Sequence, residues 1–433
     1  MPQFLNTRDE DFEDRFVELL AMKREYAPDV DATVAEIIAD VRQRGDEAIA
    51  ELTAKFDRVD LTPDTFQFTA DEIEAAIANV PEAERAALEL AAGRIRTYHE
   101  RQMPQDESWT DDDGAELGWR WTPVSAAGLY VPGGLASYPS SVLMNAIPAQ
   151  VAGVEKLVVT VPTPDGKVNP LILLAARLAG VETVYRIGGA QAIAALAYGT
   201  ETIDPVDKIT GPGNAWVAAA KRRVFGKVGI DMIAGPSEIL VIADADNDPD
   251  WIAMDLLSQA EHDESAQSIL ITTSERFGRD VAAAVDNYLQ VLDRSDIAGK
   301  SWETNGAVIT VSNLGEAAAL ADDIASEHLA LCVANPKALS ENIRHAGAIF
   351  LGAWTPEAIG DYVGGPNHVL PTARSARFSS GLSVLDFMKR TTIARMTPGA
   401  IAAIGPAAET LANSESLEAH ALSVRARLDK LNE

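Results

Sequence analysis

The chain is poor in cysteine and lacks long apolar runs. Cys332 is the single cysteine among 433 residues, which excludes an intrachain disulfide and favours a reducing compartment. No apolar run reaches the roughly 20 residues of a membrane-spanning helix. The first residues, MPQFLNTRDEDFEDRF, lack the basic and apolar regions of a signal peptide. We therefore expect a cytoplasmic protein with no membrane partner.

Basic residues are also scarce. The chain has 65 acidic and 36 basic residues, a formal net charge of -29, which would repel nucleic acids and anionic membranes. We expect neither as a partner. The acidic residues are spread along the chain, as on a highly solvated, halophile-like surface. Apolar residues make up 47% of the chain, enough for the cores of two or three domains.

The hydrophobic pattern predicts the fold class. Over about the first hundred residues, apolar positions recur at helical intervals. From Pro123 onward, short apolar strands alternate with helices: first GLYV, KLVVTV, TVYRI and KIT, then EILVIAD, SILITT, AVITV, LALCV and GAIFL. This alternation predicts two doubly wound α/β units with mostly parallel sheets. A Gly- and Pro-rich loop follows Thr355, and the last forty or so residues return to helix.

A possible metal site lies at the end of the predicted helix WIAMDLLSQAEH. Gln259 and His262 are three residues apart, which places them on one helix face. An amide oxygen and a neutral imidazole, surrounded by acidic residues, suit a divalent cation such as zinc. Glutamine is an uncommon zinc ligand, however, and a histidine near a helix end often only caps it. Spacing alone leaves both interpretations open.

Glu327 and His328 form a possible catalytic pair, because they lie where a predicted helix meets the strand LALCV. Their separate aqueous pKa values suit two proton-transfer roles, although an exposed ion pair would have the same sequence. Cys332 lies in that strand, where an apolar setting favours packing over nucleophilic catalysis. His368 follows Gly-Gly-Pro-Asn, and we expect it to support that loop's shape.

A Gly-rich turn opens another predicted helix. The chain lacks a GxGxxG motif after a predicted strand, but GPGN, residues 211–214, opens the predicted helix NAWVAAAKRRVF. A turn of this kind can bind a phosphate at the helix N-terminus. It can equally be a plain helix start with Asn214 as the cap.

Longer motifs carry a family resemblance over nearly the whole chain: GLYVPGGLASYPSSVLMNAIPAQVAGV, ITGPGNAWVAAAKRRVFGKVGIDMIAGPSE, LLSQAEHD, SEHLAL, GDYVGGPNHVLPT and ESLEAH. With these motifs the chain resembles the histidinol dehydrogenases. The resemblance implies two Rossmann-like, aldehyde-dehydrogenase-like α/β domains. It also implies these domain boundaries: a small N-terminal helical arm, 1–30; a domain with the zinc and catalytic residues, 31–129 plus 237–381; an NAD-side domain, 130–236; and a C-terminal helical tail swapped onto the partner subunit, 382–433.

The resemblance also implies residue roles. One zinc ion per subunit would be held by Gln259, His262, Asp361 and the partner's His420, so that two chains share each active site of a homodimer. Glu327 and His328 would be catalytic. The remaining implied contacts are the substrate-binding residues Ser237, Gln259, His262, His328, Asp361, Glu415 and His420, and the NAD-binding residues Tyr130, Gln191 and Asn214.

Three positions depart from the family pattern. Ser416 stands where glycine is usual, and Trp216 and Ala330 stand where tyrosine and an acidic residue are common. None of them is an implied ligand or catalytic residue.

The implied activity is NAD- and zinc-dependent oxidation of L-histidinol to L-histidine through L-histidinal, the last steps of histidine biosynthesis. Zinc would anchor the substrate, His328 would take its protons, and Glu327 would activate water. One alternative is a related dehydrogenase of another primary alcohol, such as a sulfonated diol, whose charge Glu415 would repel. Another is a zinc hydrolase, which would need no NAD.

Overall fold

The structure is a computed structural model that describes residues 1–21, 28–133, 138–233 and 235–433. Its strands are β1 (Gln3–Asn6), β2 (Glu107–Thr110), β3 (Glu116–Pro123), β4 (Ala126–Tyr130), β5 (Lys156–Thr160), β6 (Thr183–Tyr185), β7 (Lys208–Thr210), β8 (Gly229–Ile230), β9 (Glu238–Ala243), β10 (Gln267–Thr272), β11 (Ala307–Thr310), β12 (His328–Cys332), β13 (Ala348–Leu351) and β14 (Met388–Arg395).

The described residues also form α-helices between and after these strands. They are α1 (Phe12–Ala21), α2 (Pro28–Arg44), α3 (Asp46–Asp57), α4 (Ala70–Ile77), α5 (Glu82–Glu100), α6 (Pro139–Ala152), α7 (Pro170–Leu178), α8 (Gly189–Tyr198), α9 (Ala215–Val224), α10 (Pro249–Ala260), α11 (Glu275–Tyr288), α12 (Ser295–Asn305), α13 (Leu314–Ile324), α14 (Pro336–Ser340), α15 (Glu357–Tyr362), α16 (Pro398–Ser414) and α17 (Glu418–Leu431). None of them is long and apolar enough to cross a membrane.

The first α/β unit has a five-stranded parallel sheet in the order β6-β5-β4-β7-β8. Helices α4 to α7 build a core on one face, and α2, α3, α8 and α9 build a core on the other. The strand order reverses between β4 and β7. Ligands bind at such reversal points, outside the carboxyl ends of the strands.

The second unit has a six-stranded parallel sheet in the order β1-β11-β10-β9-β12-β13. Helices α1, α13 and α14 pack on one face, and α10 to α12 pack on the other. The strand order reverses between β9 and β12. The two doubly wound α/β units predicted from the strand-helix alternation are therefore confirmed.

The N-terminus differs from the expected helical arm over 1–30. Strand β1 pairs in parallel with β11, and α1 buries Phe12, Phe16 and Leu19 in the core of the six-stranded unit. This segment is thus an integral part of that unit. Residues 22–27 of the expected arm lie outside the described residues.

The region 31–129 was expected to form one domain with 237–381, but its helices pack on the five-stranded sheet. Val34 and Ile49 are buried against the five-stranded sheet, as are Leu88 and Ile95 on its other face. The expected boundary between residues 129 and 130 falls inside β4, the middle strand of that sheet. Helical periodicity shows which face of a helix is apolar, but it does not show which sheet covers that face.

The C-terminal tail leaves the two units. Strand β14 pairs antiparallel with β3, which pairs with β2. Helices α16 and α17 then pack on each other, and Gly405 of α16 lies against Val424 and Leu428 of α17. Val384 and Phe387, within the expected tail 382–433, are instead buried in the core of the five-stranded unit.

Candidate active site

Glu327 and His328 lie at the amino end of β12, beside the amino end of β9. Both residues are buried, with 6% and 4% of their surface exposed, so they do not form an exposed ion pair. One backbone unit holds both side chains. The amide of Glu238 donates to Oε2 of Glu327 (2.9 Å), and Nδ1 of His328 donates to the Glu238 carbonyl (3.0 Å). The turn before β9, which includes Ser237, is therefore joined to the pair.

The protonation of His328 follows from this contact. A carbonyl oxygen only accepts, so Nδ1 carries the hydrogen and Nε2 has a lone pair. That Nε2 is buried and has no hydrogen-bond partner among the described residues. Burial lowers the pKa of His328 to about 4, although the negative charge of Asp361 opposes the shift. The imidazole is therefore neutral at pH 7 and can accept a proton at Nε2.

Two carboxylates from α15 face this imidazole. Glu357 Oε1 lies 3.5 Å from Nδ1 of His328, and Asp361 Oδ1 lies 3.9 Å from Nε2. One ligand atom from each of the three residues lies within 4.8 Å of the others. Burial, and then the charges of Asp361 and Glu327, raise the pKa of Glu357 well above its usual value. Such crowding of acidic groups favours a cation.

Gln259 brings two more unpaired polar atoms to this region. Its side chain is fully buried, and within the described ranges neither Oε1 nor Nε2 has a hydrogen-bond partner. A buried polar group without a partner costs about 1–3 kcal/mol, so the amide of Gln259 fits a bound polar ligand or cation at this position. The helix α10 ends at Ala260, and His262 therefore lies in the turn after it rather than on its last turn.

His262 and His368 lie near enough to His328 to interact with it electrostatically, but neither belongs to the group of three residues whose ligand atoms lie within 4.8 Å of one another. Nδ1 of His368 donates to the carbonyl of Asp361 (2.9 Å), and its Nε2 lies 3.3 Å from Oγ of Ser141 in α6. His368 thus ties the Asp361 segment to the other α/β unit, consistent with the expected loop-supporting role. Asp361 itself lies in the short helix α15, not in a loop.

His420 and Glu415 are not part of this cluster within one chain. Both side chains are exposed on the tail formed by α16 and α17. Within the described residues, no ion pair or charge interaction joins His420 or Glu415 to His328.

Tyr130, Gln191 and Asn214 lie towards the carboxyl edge of the five-stranded sheet. Tyr130 ends β4, and its hydroxyl accepts from the Gly189 amide at the start of α8 (3.1 Å). Gln191 is buried in the first turn of α8. Oδ1 of Asn214 accepts from the amides of Trp216 (3.1 Å) and Val217 (3.2 Å). Asn214 is therefore the cap of α9, next to the point where the strand order reverses.

Sequence reasoning missed Glu357 and the backbone of Glu238. Glu357 and Asp361 are four residues apart, which places two carboxylates on one face of α15, and that spacing was the available signal. The contacts of Glu238 are made by its backbone, so no side-chain pattern indicates them. Cys332 is buried, and burial raises the pKa of its thiol to about 12. The expected packing role of Cys332 is confirmed.

The fold and the site define an α/β enzyme with buried acid-base groups. Comparison with known proteins identifies the family. A family model described as Histidinol dehydrogenase matches residues 20–428. The histidinol dehydrogenase of Ruegeria pomeroyi is 75% identical over 432 residues, and that of Cereibacter sphaeroides is 74% identical over 433 residues, with 100% of each chain covered. A crystal structure of histidinol dehydrogenase from Elizabethkingia anophelis has 38% identity and a TM-score of 0.95, covering 100% of this chain and 99% of that one.

The chain belongs to the histidinol dehydrogenase family, whose members are oxidoreductases that oxidise histidinol in histidine biosynthesis.

Proposed function

We propose that the protein oxidises L-histidinol to L-histidine through L-histidinal, with two NAD+ used in succession and one zinc ion per subunit. The observation that carries the proposal is the buried, neutral His328 beside Glu327, with its Nε2 lone pair unengaged among the described residues. An alcohol oxidation needs a base at this kind of position, because a proton must leave oxygen while a hydride leaves carbon.

Zinc fits the residues on the six-stranded unit. We assign Gln259, His262 and Asp361 as its ligands, with His420 of the partner subunit as the fourth. The unpaired, fully buried amide of Gln259 and the crowded carboxylates support this assignment. When bound, zinc supplies a Lewis-acidic anchor for the imidazole and amino nitrogens of the substrate, which do not react.

The first oxidation uses His328. NAD+ supplies the hydride acceptor for both oxidations, and we assign Tyr130, Gln191 and Asn214 to its site. Nε2 of His328 takes the hydroxyl proton of histidinol as the C–H hydride leaves, and the products are the aldehyde, NADH and a proton.

The second oxidation adds water. Glu327 removes a proton from water as the oxygen attacks the aldehyde carbon, and the protonated His328 gives its proton to the former carbonyl oxygen, so that the hydrate forms and His328 is neutral again. His328 then takes a hydroxyl proton from the hydrate as the second hydride leaves, so that the carboxylic acid forms. Oε2 of Glu327 lies 3.6 Å from Nδ1 of His328, whereas the proposed base is Nε2 on the other side of the ring, so the two groups can act on different oxygens of the substrate. No thiol step is needed, in accord with the burial of Cys332.

We also propose that the enzyme is a homodimer in which His420 and Glu415 complete the active site of the partner subunit. Both are exposed on a tail that also exposes Leu411, Leu417 and Leu422. Exposed apolar side chains of this size favour burial against another surface. The reducing environment suggested by the single cysteine supports a cytoplasmic location.

Complementation tests the shared site. Mixed His420→Ala and His328→Ala chains should regain activity, because a heterodimer has one intact site. Each variant alone should be inactive. Verified heterodimers with no recovered activity would exclude a shared site.

Substrate comparison tests the reaction. Purified protein should form NADH from L-histidinol and NAD+, and a strong chelator should abolish this activity until zinc is restored. A sulfonated diol of similar length is the control substrate, and Glu415 of the partner subunit should repel it. Turnover of the diol but not of histidinol would indicate the related dehydrogenase, and NAD-independent hydrolysis would indicate a zinc hydrolase.

A further inference from the structure

A buried ion pair lies beneath the GPGN turn of the five-stranded unit. It joins Lys221 of α9 to Asp231, which follows β8, and the two side chains are only 3% and 1% exposed. Burying two opposite charges carries a large desolvation penalty, and hydrophobic residues of similar volume often stabilise a fold equally well. Stability alone therefore does not explain why these two charges are buried together.

Both charged groups bind the backbone of one residue, Gly211. Nζ of Lys221 donates to the Gly211 carbonyl (2.9 Å), and the Gly211 amide donates to Oδ2 of Asp231 (2.8 Å). Gly211 has a φ of +116°, and a Cβ there would lie 2.1 Å from the carbonyl oxygen of Tyr130. The ion pair thus holds a glycine that is pressed against the backbone of Tyr130.

The contacts link the parts of the expected nucleotide site. Asn214, three residues after Gly211, caps α9, and Lys221 lies about two turns further along that helix. The amide of Asp231 also donates to the carbonyl of Ile209 in β7 (3.2 Å). Through these contacts, the ion pair connects the end of β7, the end of β8 and the helix α9. This connection lies next to the reversal of strand order, where a ligand would bind.

We propose that Lys221 and Asp231 are positioning residues for NAD: they hold the GPGN turn so that Asn214 and Tyr130 are presented to the cofactor. This inference rests on the proposed function, which places NAD at this edge. Neither residue takes part in proton or hydride transfer, so their effect should appear in cofactor binding and not in the chemical step.

The test uses Lys221→Met and Asp231→Asn in the full-length, zinc-loaded enzyme. Lys221→Met should raise the Kd and the KM for NAD+ about tenfold or more, with the KM for histidinol and the kcat at saturating NAD+ changed less than about threefold. Asp231→Asn keeps an acceptor for the Gly211 amide, so the Kd should rise less, by about threefold. The matched control is Lys156→Met, which removes an exposed lysine that pairs with Asp204 on the same unit.

The outcomes separate the two proposals. If the ion pair only stabilised the fold, Lys221→Met would have a lower melting temperature and a smaller active fraction, but the active enzyme would bind NAD+ with an unchanged Kd. That result would overturn the positioning role. If Lys221→Met does not fold, an unchanged Kd in Asp231→Asn has the same meaning. If the wild-type enzyme itself does not bind NAD+, the proposed function fails rather than the positioning role alone.

Discussion

Nδ1 of His328 donates a hydrogen bond to the backbone carbonyl of Glu238, 3.0 Å away. This contact fixes the tautomer and leaves Nε2 able to accept a proton, as the proposed mechanism requires. We expect His328→Ala to lower kcat by about 100- to 10,000-fold, the range for loss of a general base. Zinc should stay bound at one ion per subunit, as measured by elemental analysis. Zinc loss in this variant would place His328, which lies beside Glu357 and Asp361, in the metal shell.

Glu327→Gln separates the two oxidations. The amide keeps the size of the side chain and can accept from the Glu238 backbone, but it cannot take a proton from water. We expect the first NADH to form at close to the wild-type rate and the second about 100- to 10,000-fold more slowly. Rapid-quench analysis should detect bound histidinal in the interval. Equal slowing of both steps would contradict the assigned role of Glu327.

Glu357→Gln tests the crowding of the carboxylates. Folding raises the pKa of Glu357, so the carboxyl group loses its proton at a lower pH in the unfolded chain than in the folded protein. The wild-type protein therefore loses folding free energy as pH rises above the unfolded pKa of about 4.3. In zinc-free protein, the variant should therefore melt higher than the wild type at pH 8, by about 2 °C. The difference should shrink towards pH 5.

Added zinc provides the control for this variant. A bound cation would offset the repulsion among Glu357, Asp361 and Glu327, so the gain in melting temperature at pH 8 should diminish when zinc is restored. A zinc-free variant that melts lower than the wild type would show that the carboxylate of Glu357 stabilises the cluster.

Ser416 occupies a position that favours glycine. It follows α16 and has a φ of +62°. Its amide donates to the carbonyl of Asn413 (3.1 Å), and the amide of Leu417 donates to the carbonyl of Ala412 (2.8 Å). This is a Schellman motif, in which a left-handed residue ends the helix. Ser416→Gly should stabilise the tail by about 0.5–1 kcal/mol, because relief of strain exceeds the added chain entropy.

Hydrogen exchange of the amides in α16 and α17 measures this stability directly. The control is Ser416→Ala, which keeps a Cβ and should give no gain. Faster exchange in the glycine variant would contradict the strain argument.

The sequence predicted the two sheets well and their surroundings less well. From Pro123 onward, the short apolar runs between helices are typical of strands that are buried on both faces of a sheet, and both predicted parallel sheets are confirmed. Strand β1 was missed because QFLN is too short to show a period. The boundaries implied by the resemblance group helices α2 to α5 with the six-stranded unit, but these helices pack on the five-stranded sheet. Their own periodicity could not correct this, because the apolar face of a helix does not specify which sheet it covers.

The site shows a similar limit. Spacing along one helix indicated Gln259 and His262, and the adjacent Glu327 and His328 were visible as a pair. The approach of α15 to His328 depends on long-range packing between β12 and that helix, which local sequence does not encode. Family resemblance supplied Asp361 and His420, and His420 stays a prediction because its expected neighbours are on another chain.

The number of NADH molecules formed for each histidine is the most direct test of the proposed reaction. Zinc-loaded wild-type enzyme, limiting L-histidinol and excess NAD+ should give two NADH for each histidine, without free histidinal. In the proposed mechanism, Glu327 and His328 act in turn on one intermediate that stays bound. A ratio of one NADH for each histidinol consumed, with histidinal released, would contradict the account.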